Sequence, residues 1–292
     1  MFEGVLPALI TPFTKDDTID KDGIIRNLAF VEEGGVSGVV PSGTTGESAT
    51  LSTDEHKQLI DIVVDSSNVF VIAGTGSNNT AEALELTQHA EDAGADGALL
   101  ISPYYNKPNK DGLIRHFKTI AESTELPLLL YNVPSRTGQD MPVDLIVELS
   151  KVENIVGIKE ASGNLEKVSR IIEETIDEDF LVLSGDDGLT LPIVSIGGYG
   201  VISVVANIVP DKMVKLVNYA LTGDMVAARE VHYEIAPLIR ALFTETNPIP
   251  VKRAMGLIGL ASGHLRLPLA PLSSKNEQVL LEALRTTGVL HD

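Results

Sequence analysis

Short apolar runs rich in β-branched residues recur along the first two-thirds of the chain, each ending in small, polar or turn-forming residues. They cover Val5–Pro12, Ser37–Ser42, Val69–Gly74, Gly97–Pro103, Leu126–Val133, Ile155–Lys159, Phe180–Ser184 and Gly200–Ala206, eight runs in all. Within them hydrophobic positions are nearly continuous, as in Leu128-Leu129-Leu130-Tyr131 and Val201-Ile202-Ser203-Val204-Val205. A strand buried on one face alternates with polar residues, whereas a strand of a parallel sheet is covered on both faces and does not. Amphipathic stretches with helix-start signals lie between the runs. Ser52 precedes one of them, with Glu55 three residues on in capping-box spacing. Asn79-Thr80 opens another, and Asp186-Asp187 precedes a third.

Strand and helix alternating eight times predict an α/β fold, a (β/α)8 TIM barrel. An open doubly wound sheet usually has fewer strands and carries a Gly-rich nucleotide turn after the first of them. Here the first run ends in Thr11-Pro12-Phe13, without such a turn. Beyond Asn207 no further strand-like run occurs. Pro210–Leu221, Asp224–Leu242, Pro248–Leu260 and Ser274–Thr286 instead show helical spacing. The predicted organisation is a barrel over residues 1–223 and a helical C-terminal extension over 224–292 packed on it, with no Ser/Gly-rich linker between them.

Composition narrows the function. Lys and Arg number 22 against 41 Asp and Glu, a formal charge of −19, which opposes binding to DNA, RNA or an anionic membrane surface. The absence of Cys excludes disulfides, thiolate nucleophiles and Fe–S clusters. The six His lack any metal-ligand spacing, so no metal site is expected. The N-terminus has no basic segment before its short apolar run, and no apolar stretch is long enough to span a bilayer. A cytoplasmic location is expected.

In a barrel of this kind chemistry collects at the C-terminal ends of the strands. Lys159 ends the otherwise uncharged run Ile155-Val156-Gly157-Ile158. Burial disfavours an ammonium, so such a lysine offers a neutral amine able to form an imine with a ketone. The plainer reading is an ion pair with Glu160 at the rim. Gly43-Thr44-Thr45-Gly46 is either a carboxylate cradle of backbone N–H groups and hydroxyls or a simple turn. Tyr131 is core or proton relay, and Tyr104-Tyr105 is site or interface. Arg136 is a carboxylate fork or a solvated loop residue.

Taken together these residues resemble the dihydrodipicolinate synthase family of pyruvate-dependent class I aldolases. The resemblance runs through Ala8-Leu9-Ile10-Thr11-Pro12-Phe13, Gly43-Thr44-Thr45-Gly46-Glu47-Ser48, and Ser102-Pro103-Tyr104-Tyr105-Asn106-Lys107-Pro108. It continues in Tyr131-Asn132-Val133-Pro134-Ser135-Arg136-Thr137-Gly138, Gly157-Ile158-Lys159-Glu160-Ala161 and Asn247-Pro248-Ile249-Pro250. It implies condensation of pyruvate with L-aspartate 4-semialdehyde to 4-hydroxy-tetrahydrodipicolinate, at the entry to diaminopimelate and lysine biosynthesis, with no cofactor.

Residue by residue, the resemblance assigns Lys159 the imine and Tyr131 the proton relay. Thr45 would link Tyr131 to Tyr105, which family members supply across a subunit interface, commonly in a homotetramer made of two dimers. Thr44 and Thr45 would cradle the pyruvate carboxylate, Arg136 would take that of the aldehyde, and Gly185 and Ile202 would line the pocket. Ser48, Ala49, His56, Asn78, Glu82 and Tyr104 match a site where some members bind lysine as an inhibitor, while Thr53 departs from the His of a well-known inhibited type. Two alternatives stand beside this reading: a related aldolase acting on 2-keto-3-deoxy sugar acids, against which Arg136 argues, and an inactive barrel that senses an amino acid.

Overall fold

The computed structural model describes residues 2–290; Met1 and the last two positions of the predicted extension, 291 and 292, lie outside the described residues. Eight strands are present: β1 (Gly4–Pro7), β2 (Gly38–Val39), β3 (Phe70–Gly74), β4 (Gly97–Ile101), β5 (Leu128–Asn132), β6 (Ile155–Glu160), β7 (Leu181–Ser184) and β8 (Gly200–Ser203). All pair in parallel, in the order β1-β8-β7-β6-β5-β4-β3-β2. A parallel bridge between Ala8 and Val40 closes the ring, with Val40 N–H donating to Pro7 at 2.8 Å and Leu9 N–H to Val40 at 3.0 Å. The fold is the (β/α)8 barrel that the strand pattern predicts.

Several strands begin near where the apolar runs begin but stop earlier. The run Val5–Pro12 gives a strand only to Pro7, and Gly97–Pro103 only to Ile101. Among the residues past the strand ends, Thr11, Ser42 and Ser102 are buried.

Alternation within each strand separates an inner from an outer core. On β5, Leu129 and Tyr131 join Leu6, Ile72, Leu99, Leu183 and Ile202 inside the barrel. Leu128 and Leu130 pack outward against the helices. Pairing of β5 with β6 contains one irregularity: Leu128 matches Ile155 but Leu129 matches Gly157, so Val156 is an extra residue. Beyond it Tyr131 stands opposite Lys159, and Asn132 opposite Glu160. Lys159 therefore shares the inward face of Tyr131.

The helix starts read from sequence are present. Ser52 and Glu55 form a reciprocal capping box on helix Thr53–Ser66, and the Asn79 side chain caps helix Thr80–Ala93. Asp186 caps only a short 3-10 turn, with helix Thr190–Ser195 following. Helices Pro210–Leu221, Met225–Leu242, Ile249–Leu257 and Ser274–Thr286 make up the C-terminal third. Leu238, Val251, Met255 and Leu280 belong to one continuous core with Val5, Val201 and Met213. The extension is thus packed on the barrel through shared apolar burial.

Candidate active site

Lys159 lies within the barrel mouth, 6% exposed, its ammonium 4.2 Å from the centre of the Tyr131 ring. Among the described residues no carboxylate lies within ion-pair distance of it. Glu160 points the other way: Asn132 Nδ2 donates to it at 2.9 Å and Ser162 N–H at 2.6 Å, with Lys167 Nζ 3.7 Å away. Strand alternation thus excludes the Lys159–Glu160 pair. Burial pushes the Lys159 amine down to about 7; the Asp187 carboxylate opposes that shift, and the Arg136 cation adds to it. Gly185 leaves room beside the lysine stem, since a Cβ there would come within 3.1 Å of Lys159 Cγ.

Tyr131 is buried, and burial raises its phenol pKa, a shift opposed by Arg136 and by a hydrogen bond from the Thr44 side chain. The hydroxyl at Tyr131 is therefore that of Thr44. Thr45, which the resemblance places between two tyrosines, turns instead toward the C-terminal extension, where Asn247 Nδ2 donates to its hydroxyl at 2.9 Å. Asn247 also uses its carbonyl, which accepts from Arg136 Nη2 at 2.8 Å. Arg136 sits on a one-turn helix, Pro134–Thr137, stopped by Gly138 at φ 71°.

The threonine loop is held at its C-terminal end. Thr11 Oγ1 donates to Gly46 O at 2.6 Å. Glu47, in left-handed backbone at φ 54°, forms a fully buried ion pair with Lys252 and accepts from Arg266 N–H at 3.1 Å. The Phe13 ring lies 4.3 Å from the Lys252 ammonium and 4.2 Å from the Arg266 guanidinium. Arg266 is further fixed by Glu55, whose carboxyl it holds down to about 2.

A cavity of about 290 Å³ adjoins this centre; Thr44, Tyr131, Arg136 and Asn247 line it. The same cavity is lined by Ser48, Ala49, His56, Glu82 and Tyr104, five of the six positions matched to a regulatory site. The sixth, Asn78, donates to Tyr104 O at 3.0 Å and so positions that wall. His56 Nε2 donates to Gly74 O at 2.7 Å, and burial lowers its pKa. Ser77 donates to Glu82 at 2.5 Å. Ile202 contributes to the inner core beside Tyr131. Tyr105 stands apart: it is 90% exposed, with φ 70°, and does not line this cavity.

Three participants escaped the sequence reading. Asn247 lies in Asn-Pro-Ile-Pro, a motif visible in the sequence but without an evident role. Asp187 was legible only as a helix-start residue. The Glu47–Lys252 pair joins positions 205 apart in sequence, and nothing local signals it.

Residues 1–287 match the model of the dihydrodipicolinate synthetase family. The chain is 72% identical, over 99% of its length and 100% of the relative's, to 4-hydroxy-tetrahydrodipicolinate synthase of Methanosarcina mazei. It superposes with TM-score 0.97 on dihydrodipicolinate synthase from Acinetobacter baumannii complexed with pyruvate, at 42% identity, covering 99% of this chain and 100% of that one. The enzyme from Cyanidioschyzon merolae with lysine bound gives TM-score 0.96 at 40% identity, covering 99% of both chains.

Proposed function

The chain belongs to the dihydrodipicolinate synthetase family, and on that premise we propose that it condenses pyruvate with L-aspartate 4-semialdehyde through an imine on Lys159. The observation that carries this reading is a buried lysine with no carboxylate within ion-pair distance among the described residues, its amine brought to about 7. The neutral amine attacks C2 of pyruvate and water leaves, giving the protonated imine. Loss of a methyl proton gives an enamine, whose carbon attacks the aldehyde. The amino group of the adduct then attacks C2 and displaces Lys159, closing the ring of 4-hydroxy-tetrahydrodipicolinate. Each step moves a proton, and Tyr131 at the imine is placed to carry it.

Thr44, at the Tyr131 hydroxyl, takes the relay role in place of Thr45. Thr45 acts with the loop N–H groups in holding the pyruvate carboxylate. Arg136 takes the carboxylate of the aldehyde, and Gly185 and Ile202 line the pocket. The exposure of Tyr105 suits a residue that completes a neighbouring protomer's relay, in a dimer that pairs into a homotetramer. The part of the cavity lined by Glu82, for an ammonium, and His56, toward a carboxylate, fits lysine as an inhibitor. No helix among the described residues is long and apolar enough to cross a membrane, in keeping with a cytoplasmic enzyme of diaminopimelate and lysine biosynthesis.

Borohydride reduction of the protein with pyruvate, followed by peptide mass mapping, tests the reading. A reduced adduct on Lys159 and turnover of aspartate semialdehyde are expected. An unmodified Lys159 in folded protein would overturn it.

A further inference from the structure

The loop after β7 holds a carboxylate with no part in the roles above. Asp187 is 1% exposed and is held by three donors: Ser203 Oγ at 2.5 Å and the N–H groups of Val204 at 3.0 Å and Val205 at 3.1 Å. Those donors close the end of β8, so one side chain ties two loops of the barrel mouth together. Two residues before it stands Gly185, against the stem of Lys159. One residue before Ser203 stands Ile202, in the inner core with Tyr131.

A cross-link alone does not require a charge. A neutral amide oxygen would accept from the same two N–H groups at a lower desolvation cost. A buried carboxylate is favoured where a cation lies within reach. The Tyr131 ring from β5 lies against Lys159, and the loop of Asp187 reaches it through Gly185 at the lysine stem; the charged groups that act on the amine are Asp187 and Arg136. Of these only Asp187 is an anion, and its own charged neighbour on the loop is Asp186.

We propose that Asp187 is a positioning residue that acts through Lys159, its negative charge supporting the ammonium and the protonated imine while its hydrogen bonds set the Gly185 and β8 rims around them. This deepens the imine chemistry proposed for Lys159 and rests on it. Burial drives the lysine amine down, and Asp187 acts against that shift. Burial likewise lifts the Asp187 carboxyl to about 6, so it is mostly ionised where the amine titrates.

The test is the pH profile of kcat/KM for pyruvate, with borohydride trapping on Lys159, in the full-length protein and two variants. Asp187→Asn removes the charge, so the amine stays neutral to lower pH and the acid limb should move down by roughly half to one pH unit. Ser203→Ala keeps the carboxylate but removes a donor that favours its ionised form. It should move the limb in the same direction by less, and it carries the test if Asp187→Asn does not fold. A limb unmoved in the folded variants, with the wild type trapped on Lys159, would overturn the role of Asp187 alone. Failure of the wild type to trap pyruvate would instead remove the imine reading on which it stands.

Discussion

Lys159 and Glu160 are neighbours in β6 and face opposite sides of it. The lysine lies inside the barrel against the Tyr131 ring, while the glutamate lies outside, accepting hydrogen bonds from Asn132 and Ser162. The separation keeps the amine free of a carboxylate that would hold it as an ammonium. It also gives the activity its pH dependence. The folded-state amine titrates near 7, so below that value the ammonium predominates, and kcat/KM for pyruvate should fall about tenfold per pH unit. A profile flat from pH 8 down to 5 would count against Lys159 as the nucleophile.

The two threonines of the loop should separate kinetically. Thr44→Val removes the hydroxyl at Tyr131 and should lower kcat by roughly a hundredfold or more, as should Tyr131→Phe. Thr45→Val breaks the link to Asn247 and should act mainly through KM for pyruvate. Steady-state kinetics with both substrates varied distinguishes them. Equal loss of kcat in the two variants would put both hydroxyls in the relay.

Arg136→Ala should leave pyruvate trapping on Lys159 in place. It should raise KM for the aldehyde about ten- to a hundredfold, the worth of a charge-assisted hydrogen bond. A comparable loss of trapping would mean that its bond to Asn247 also shapes the pyruvate half of the site.

Lys252→Met would leave Glu47 as an unpaired buried charge, and removal of one member of such a pair costs about 3 to 5 kcal/mol. Glu47→Gln combined with Lys252→Met should cost less than the single change. Urea unfolding of the three proteins measures the difference, and equal midpoints for single and double variants would deny the pair its buried character.

His116 gives stability a second pH dependence. Its ring is buried, with Nδ1 on Thr80 at 2.9 Å, and burial lowers its pKa from 6.5 to about 4. The unfolded chain therefore binds the proton first. The contribution is full above 6.5 and is lost as pH falls through 4. The urea midpoint should drop over that window in the wild type and drop less in His116→Gln.

Much of this architecture is legible in the pattern of residues. Eight doubly buried strands cannot pair in parallel without helices between them, and Lys159, Tyr131 and Arg136 follow from strand ends. The helix of Ser52 follows equally from local capping chemistry. What the sequence hides is non-local or directional. The partner of Lys252 lies 205 positions away, and the short turn that gives Thr44 rather than Thr45 to Tyr131 is a matter of side-chain direction. Asp187 looks like a helix start because its partners, Ser203 to Val205, are supplied by another strand.

The extra residue at Val156 has a bearing on which changes the site can survive. Side chains along a strand obey parity, and the single uncounted residue resets that parity between Ile155 and Lys159. Deleting Val156 would restore plain alternation with β5 and leave Lys159 inside the barrel, whereas losing or gaining one residue between Gly157 and Lys159 would present Glu160 to the barrel and Lys159 to the helices. The chemistry of this strand is therefore guarded by its length as well as by its letters: a conservative substitution at Val156 costs packing, whereas one residue more or fewer between Gly157 and Lys159 inverts the site.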